Sequence, residues 1–204
     1  MSDLMTLQAY SLHRQDHRRR LIAHRRLRTV SLGPRLSLQF EDELTVRHQI
    51  QEVLWADRAG DPDSVQAEID TYAHLVPNGT QWKATLMIEL PQAEERERLM
   101  PLLNDAVHAI YVELRADGHG PVRASAFVNE DLPCRHLGRL SGVHFLRFQL
   151  DAAFRAGLAR GGDAMLGCAH PSYHWRRMIP PPTLASLCRE LVVPGRAAPT
   201  ELQH

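Results

Sequence analysis

The segment WKATLMIEL, residues 82–90, decides the fold class of this 204-residue chain. Apolar residues occupy its even-numbered positions, and the charged residues Lys83 and Glu89 stand between them. Such alternation is typical of a half-buried strand with one face on a hydrophobic core. The turn residues Pro77-Asn78-Gly79 precede the segment and Pro91 follows it. We therefore predict a sheet strand over residues 82–90.

Further strands and helices are predicted on both sides of this segment from the same kind of periodicity. The additional strands cover residues 30–32, 36–40, 107–114, 122–128, 142–150 and 164–168. The Gly33-Pro34 break and the Gly118–Pro121 turn make hairpins of the first two pairs. Helical periodicity, caps and breaks indicate helices over residues 9–28, 41–59, 62–76, 92–103, 151–160 and 183–192. The basic helix over residues 9–28 contains seven arginines.

These elements predict the α+β class, in a single domain with a mostly antiparallel sheet of about six to seven strands and helices packed on it. The domain is expected over residues 1–193, with the basic helix at 9–28 and the sheet and its helices at 29–170. A chain of this size stays within the range that one core can serve. Residues 194–204 are expected to form a flexible tail.

Composition narrows the classes of partner and compartment. Lys and Arg number 24 against 24 Asp and Glu, so the basic surplus typical of nucleic-acid binders is missing. The N-terminus has no apolar leader, and no apolar stretch is long enough to span a bilayer. Three cysteines without CxxC spacing fit a reducing compartment. We expect a cytoplasmic protein that binds neither nucleic acid nor membrane.

Histidines supply most of the candidates for chemistry. His48 and Glu52 are spaced i,i+4, so both project from the same side of a helix, where a metal could bridge them. That side lies opposite the apolar face and favours solvent exposure, although Leu44 and Trp55 flank it. His144 shares a strand face with apolar residues, so it needs a buried polar partner, or acts as a metal ligand or general base.

A third group lies at Cys168 and His170, on one face of a strand that ends at Pro171. Antiparallel pairing of this strand with residues 142–150 would bring both side chains close to His144, and parallel pairing would place them at opposite ends of the sheet. The sequence leaves that choice open.

Two alternatives use other residues. The segment Cys134-Arg135-His136 could join Cys168, His170 and His174 in a zinc-like cluster. The arginines of the basic helix, with Arg18, Arg19 and Arg25 as candidates, could bind an acidic partner or a phosphorylated ligand. Without such a partner, these arginines would form an ordinary solvent-exposed face of the helix.

Seven short segments in order resemble a bacterial family of uncharacterised proteins, the domain-of-unknown-function 3501 family. They are Leu32-Gly33-Pro34, Phe40-Glu41, Gln49–Glu52, Leu75–Gly79, Ala84–Glu89, Val143–Phe148 and His170–Tyr173. The resemblance implies an association with genes for rubrerythrin-like and iron–sulfur proteins, and so with iron handling or peroxide defence.

The leading hypothesis is therefore a protein of iron or redox metabolism that binds iron or another transition metal. The expected ligands are His144, His170, Glu41, Glu52 and His48, a mixture of imidazole and carboxylate that suits iron. One alternative is a non-enzymatic module whose arginine helix docks an acidic redox protein, either rubrerythrin-like or an iron–sulfur protein. Another is a small-molecule enzyme with His144 as general base and Arg147 as anion clamp.

Overall fold

The computed structural model describes residues 4–115, 120–129 and 140–193. Over these ranges the chain forms six α-helices, two short 3₁₀ turns and eight strands. The helices are α1 (Leu7–Leu27), α2 (Glu43–Asp57), α3 (Pro62–Tyr72), α4 (Ala93–Ala106), α5 (Ala152–Ala159) and α6 (Pro181–Cys188). The strands are β1 (Thr29–Leu32), β2 (Leu36–Phe40), β3 (Gln81–Ile88), β4 (Ile110–Arg115), β5 (Val122–Val128), β6 (Val143–Gln149), β7 (Asp163–His170) and β8 (Tyr173–Met178). The expected tail at 194–204 lies outside the described residues.

All eight strands join one antiparallel sheet in the order β1-β2-β3-β6-β5-β4-β7-β8. The α+β class and the antiparallel sheet are confirmed, with one strand more than the six to seven predicted. The additional strand is β8, whose residues from His174 to Met178 are all exposed. An edge strand of this kind lacks the alternation of apolar and polar residues that reveals a half-buried strand.

The sheet curls until its two edge strands almost meet. The hydroxyl of Tyr173 on β8 donates to the carbonyl of Leu32 on β1 at 2.6 Å and accepts from the amide of Arg35 at 3.2 Å. Gly33 makes this approach possible: its φ is +70°, and a Cβ there would lie 2.7 Å from the ring of Trp175. Only glycine tolerates both the backbone conformation and the contact.

The two faces of the sheet carry separate apolar clusters. The inner face holds the main core, in which Trp82, Phe40 and Phe148 pack with residues of α4, α5 and α6. The outer face of β2, β3 and β6 is covered by α2 and α3, through a smaller cluster built on Ile50 and Leu75. Helix α1 packs against α2. Among the described helices, none combines the length and apolarity needed to cross a membrane.

Candidate functional site

The contact between α1 and α2 creates the most chemically distinctive group of side chains. Helix α2 begins with a capping box, in which Asp42 accepts from the amide of Thr45 and the Thr45 hydroxyl accepts from the amide of Asp42. His24 of α1 contacts the same carboxylate, with 2.6 Å between Nε2 and Oδ2. This arrangement fixes the start of α2 against α1 and so orients His48, one and a half turns further on.

Glu52 of α2 is held by two side chains of α1. Arg14 donates through Nε to Oε1 at 2.9 Å and through a terminal nitrogen to Oε2 at 2.7 Å. The Tyr10 hydroxyl donates to Oε1 at 2.5 Å. The Arg14 guanidinium also lies 3.9 Å above the ring of Trp55. Bidentate pairing and stacking are the geometry that arginine adopts most favourably, so Glu52 and Arg14 act as one neutral unit.

His48 lies beside this unit, with only 11% of its side chain exposed. Its Nε2 is 3.3 Å from the Tyr10 hydroxyl oxygen and 3.8 Å from Oε1 of Glu52. Because the Tyr10 proton is donated to Glu52, we infer that Nε2 carries the imidazole proton and donates to Tyr10. The Nδ1 lone pair of His48 then has no hydrogen-bond partner among the described residues.

The neighbours of this cluster set its charge states. Burial is the largest cause of a pKa of His48 that is lowered to about 4; Arg25, His17 and Arg18 contribute to this shift, and the Glu52 carboxylate partly opposes it. Burial also disfavours ionised Glu52, but the hydrogen bonds from Arg14 and Tyr10 outweigh it and lower the pKa of that carboxyl. The pKa of Tyr10 is raised, first by burial and then by the Glu52 carboxylate. At neutral pH the cluster therefore contains a neutral imidazole beside an ionised carboxylate.

A cavity of about 280 Å³ opens beside His48, and we call it the α1–α2 pocket. Its lining consists of Met5, Tyr10, His17, Arg20, Leu21, Leu44, Arg47, His48 and Gln51. Two hydrogen bonds between the Gln51 side chain and the Met5 backbone, at 2.9 and 3.1 Å, hold one wall in place. No carboxylate is among the described residues that line the pocket, whereas two arginines are. The pocket is thus suited to a negatively charged ligand.

The five residues predicted as metal ligands lie at four separate places. Only His48 and Glu52 come together, and both oxygens of Glu52 are already hydrogen-bonded. Glu41 lies beyond the end of β2, where its carboxylate accepts from Thr45, Thr85 and Gln39. The described part of the chain contains no group of three histidine, cysteine or acidic side chains that could hold a metal ion.

His144 and His170 do not meet, because β6 and β7 are not neighbours. Strands β5 and β4 lie between them, so the two strands that carry the histidines are three strand spacings, about 14 Å, apart. Neither of the two pairings that the sequence left open is therefore present. The connection from β6 to β7 crosses the two strands of the β4–β5 hairpin, which pairs with β6 on one side and β7 on the other.

Each of these histidines has local partners instead. The Nε2 of His144 lies 3.1 Å from the carbonyl of Ser141, and its Nδ1 lies 3.1 Å from the side-chain amide of Asn129. Burial lowers the pKa of His144, so it is a satisfied, neutral core histidine. His170 contacts Asp105 through Nε2 at 3.0 Å and accepts from the amide of Ser172 at 3.2 Å. Metal binding through these residues stays a prediction.

The described residues of the zinc-like alternative lie on the adjacent strands β7 and β8 but do not form a group that could hold a metal ion. Cys134, Arg135 and His136 lie outside the described residues. Cys168 is buried on the inner face of the sheet, where its thiol donates to the carbonyl of Ala106 at 3.3 Å, and burial raises its pKa. His174 stands on the exposed side of β8.

The four arginines predicted to bind anions also differ in position. Arg18 and Arg19 are exposed on α1, and Arg19 pairs with Asp16 at 2.8 Å. Arg25 is partly buried at a second cavity, described below. Arg147 lies on β6 with its guanidinium 4.3 Å above the ring of Phe127. None of the four lines the α1–α2 pocket.

The arginines that do line this pocket, Arg20 and Arg47, and its hydroxyl, Tyr10, were not predicted as site residues. A signal was present in α1, where Tyr10, Arg14, His17 and Leu21 recur at three- and four-residue spacing on the side that faces α2. The many other arginines of α1 obscured it.

Comparisons with known proteins support the fold and identify the family, but they assign no activity. A crystal structure from Burkholderia pseudomallei, described as a novel protein of unknown function, is 39% identical to this chain with a TM-score of 0.84. The match covers 93% of this chain and 96% of that one. The comparison with curated proteins finds no match. The family described as protein of unknown function (DUF3501) matches residues 1–191, and the chain therefore belongs to that family.

Proposed function

We propose that this protein binds a small organic anion in the α1–α2 pocket and that His48 exchanges a proton with the bound ligand. The observation that carries the proposal is a neutral, largely buried histidine on the wall of a cavity whose described lining contains two arginines and no carboxylate. Titratable groups with strongly shifted pKa values in a cleft are candidates for functional sites.

The charges around the pocket favour an oxyanion. Arg14 is neutralised by Glu52, but Arg20 has no hydrogen-bond or ion-pair partner among the described residues. A carboxylate or phosphate group is the ligand that a guanidinium binds most strongly, through paired hydrogen bonds. Arg20 at the pocket is thus the proposed contact for the charged group of the ligand.

The remaining lining indicates the size and polarity of the ligand. Met5, Leu21 and Leu44 supply apolar surface, and Gln51 is held by the backbone of Met5. A volume of about 280 Å³ is at the small end of the range for ligand cavities. The proposed ligand is therefore a short organic acid or phosphate monoester with an apolar body.

A bound anion also changes the proton affinity of His48. A negative charge near the imidazole favours its protonated form and raises its pKa from the low value of the free protein. Binding then takes up a proton wherever the pKa of His48 in the free protein lies below the pH and its pKa in the complex lies above it. In this way the bound anion would convert His48 from a neutral imidazole into an imidazolium, which is able to donate its proton to the ligand.

Isothermal titration calorimetry with butanoate, benzoate and phenyl phosphate tests the proposal. Titrations near about pH 5.5 in two buffers of different ionisation enthalpy count the protons taken up on binding. We expect Arg20→Gln to weaken binding roughly tenfold or more, since it removes a charge-assisted hydrogen bond. His48→Gln should abolish the proton uptake.

The matched control is Arg19→Gln, the neighbouring arginine on α1, which does not line the pocket. It should leave the affinity unchanged within about twofold. Failure of all three probes to bind at millimolar concentration would contradict the proposal. So would equal effects of the Arg19 and Arg20 substitutions.

A second candidate function, docking of an acidic protein, is favoured by the outward side of α1. Leu12 is 78% exposed and Ile22 is 49% exposed. Helical spacing places Arg19 and Arg26 on the same side as these two apolar residues. A surface of exposed aliphatic and basic side chains suits an acidic partner protein with apolar residues at its centre.

Salt dependence tests this docking proposal. The purified rubrerythrin-like protein of the same organism serves as the probe in biolayer interferometry at about 50 and about 300 mM salt. Binding should weaken several-fold at the higher salt and should be lost in Arg19→Glu/Arg26→Glu. Affinity that responds neither to salt nor to charge reversal would rule out this role for α1.

A further inference from the structure

A second cavity of about 280 Å³ lies on the other side of α2, against the outer face of the sheet. We call it the sheet-side pocket. Its lining consists of Arg25, Gln39, Glu41, Val46, Gln49, Tyr72, Leu75, Thr85, Met87, Val143 and Phe145. Strands β2, β3 and β6 form its floor, α2 and α3 with the following turn form its cover, and Arg25 of α1 closes one side. It shares no lining residue with the α1–α2 pocket.

Glu41 is a buried carboxylate at this cavity that has no cationic partner among the described residues. Its Oε2 accepts from the Thr45 hydroxyl at 2.5 Å, and its Oε1 accepts from Thr85 at 2.6 Å and from Gln39 at 3.2 Å. Three neutral donors orient the carboxylate, and the buried Lys83 on the adjacent strand donates to the carbonyl of His74. Buried charges in proteins are normally paired, so a cationic group in the cavity would complete this site.

Arg25 presents the opposite charge to the same cavity. Its Nε is buried and has no hydrogen-bond partner among the described residues. No ion pair joins Arg25 to Glu41, so the two charges do not satisfy each other. The guanidinium of Arg25 lines the cavity, and its terminal nitrogens are the donors that the oxygens of a bound carboxylate would pair with.

The strand register orders the floor of the cavity from polar to apolar. Gln39, Thr85 and Phe145 lie side by side across β2, β3 and β6. Glu41 lies two residues beyond Gln39 along the chain, and its amide donates to the carbonyl of Lys83 on β3. Its side chain is therefore next to this row at one end of the floor. On the opposite side, two residues further along the strands, Met87 pairs with Val143. The floor of the cavity therefore runs from the Glu41 carboxylate at one end to apolar side chains at the other.

We propose that the sheet-side pocket binds a zwitterion of the α-amino-acid class with an apolar side chain. Its ammonium group donates to Glu41, its carboxylate accepts from Arg25, and its side chain lies on Met87, Val143 and Phe145. The carboxylate of Glu41, the guanidinium of Arg25 and the apolar floor together select this class. An amine alone would leave Arg25 unsatisfied, and a carboxylic acid alone would leave Glu41 unpaired.

Calorimetric titration with L-leucine, L-methionine and L-phenylalanine tests the assignment, with N-acetyl-L-leucine and 3-methylbutylamine as analogues that each lack one charged group. At least one amino acid should bind, and both analogues should bind roughly tenfold or more weakly. Arg25→Gln and Glu41→Gln should each weaken amino-acid binding by a similar factor. Arg26→Gln, at an exposed position of the same helix, is the matched control.

Two further variants keep the test decisive. Gln49→Trp adds a large side chain at an exposed position that lines the pocket. It should block amino-acid binding although both charged residues are retained. This variant therefore tests the site even if Glu41→Gln destabilises the fold. His48→Gln should leave amino-acid binding intact, which separates this site from the α1–α2 pocket. The proposal is overturned if no amino acid binds, if an analogue binds as well as its parent, or if Arg26→Gln weakens binding as much as Arg25→Gln.

Discussion

His48 and Glu52 are one helical turn apart, yet their surroundings keep the imidazole uncharged and the carboxyl group ionised. Burial and nearby arginines keep the imidazole neutral and lower its pKa to about 4. Two hydrogen-bond donors on α1, Arg14 and Tyr10, keep the carboxyl ionised although it is partly buried. The i,i+4 spacing predicted that the two side chains would be neighbours. Their protonation depends on groups from another helix.

The lowered pKa of His48 makes stability depend on pH. Between about pH 6.5 and pH 4, His48 is protonated in the unfolded chain but stays neutral in the folded protein. The free energy of unfolding therefore falls as the pH falls. The loss attributable to His48 is on the order of 3 kcal/mol by about pH 4. His48→Gln should reduce the acid-induced loss of stability by that order, as measured by urea unfolding at several pH values.

His13→Gln, at an exposed position of α1, is the control and should retain the pH dependence of the wild type. An NMR titration of the wild type should show His48 titrating near pH 4. A midpoint close to the ordinary value for histidine would contradict the environment described for this residue.

At the scale of elements, Arg28 links the end of α1 to β2 and to the segment after α6. It is 1% exposed and donates to the carbonyls of Phe40 and Glu41 and to the hydroxyl of Ser186, each at 3.0 Å. It also pairs with Glu190 at 2.5 Å. Burial raises the pKa of Glu190 to about 7, although Arg28 opposes that rise. Three distant parts of the chain therefore depend on one guanidinium.

Replacing Arg28 should destabilise the protein strongly. Arg28→Met leaves a buried carboxylate and two backbone carbonyls without their donor, and removal of one member of a buried ion pair costs about 3–5 kcal/mol. Urea unfolding monitored by circular dichroism measures the loss. Arg26→Met, an exposed arginine two residues earlier, should change stability by no more than about 0.5 kcal/mol.

Adding Glu190→Gln to Arg28→Met should restore part of the lost stability, because it removes the uncompensated carboxylate. A double variant no more stable than Arg28→Met would show that the carbonyl contacts, and not the ion pair, account for the effect of Arg28.

At the scale of the whole molecule, Tyr173 joins the two edges of the sheet. Its buried hydroxyl bridges the Leu32 carbonyl and the Arg35 amide across the gap between β1 and β8. Edge strands normally leave backbone groups unpaired, and closure of the sheet is one way to protect them. The bridge replaces part of the ladder that full closure would provide.

Tyr173→Phe should cost about 1–3 kcal/mol, because the partly buried Arg35 amide loses its acceptor and the buried Leu32 carbonyl loses one of its donors. Hydrogen exchange should become faster at Arg35, whose amide loses its acceptor. Tyr72→Phe is the control, since the Tyr72 hydroxyl has no hydrogen-bond partner in the described part of the chain. Unchanged exchange at Arg35 in Tyr173→Phe would refute the proposed bridge.

Most elements of this fold could be predicted because their signals are local. The alternation in residues 82–90 and the helical spacing of residues 43–57 can be recognised within one segment. Strand β8 could not be recognised, since it lies at an edge and its exposed residues from His174 to Met178 show no alternation. The partners of His144 illustrate the same limit: the need for a partner was predictable, but its identity as Asn129 was not.

The amino-acid sequence alone was sufficient to establish the α+β class, the antiparallel character of the sheet, the basic helix and the family. These properties follow from residue periods of 2 and 3.6 and from short segments, which need no knowledge of distant contacts. Strand order and both pockets were decided only by tertiary structure. Tyr10 and Glu52 are 42 positions apart, and β4 and β5 lie between the strands of His144 and His170. Which distant residues become neighbours depends on the free energy of the whole folded core. Every element contributes to that free energy, so it cannot be read from a single segment.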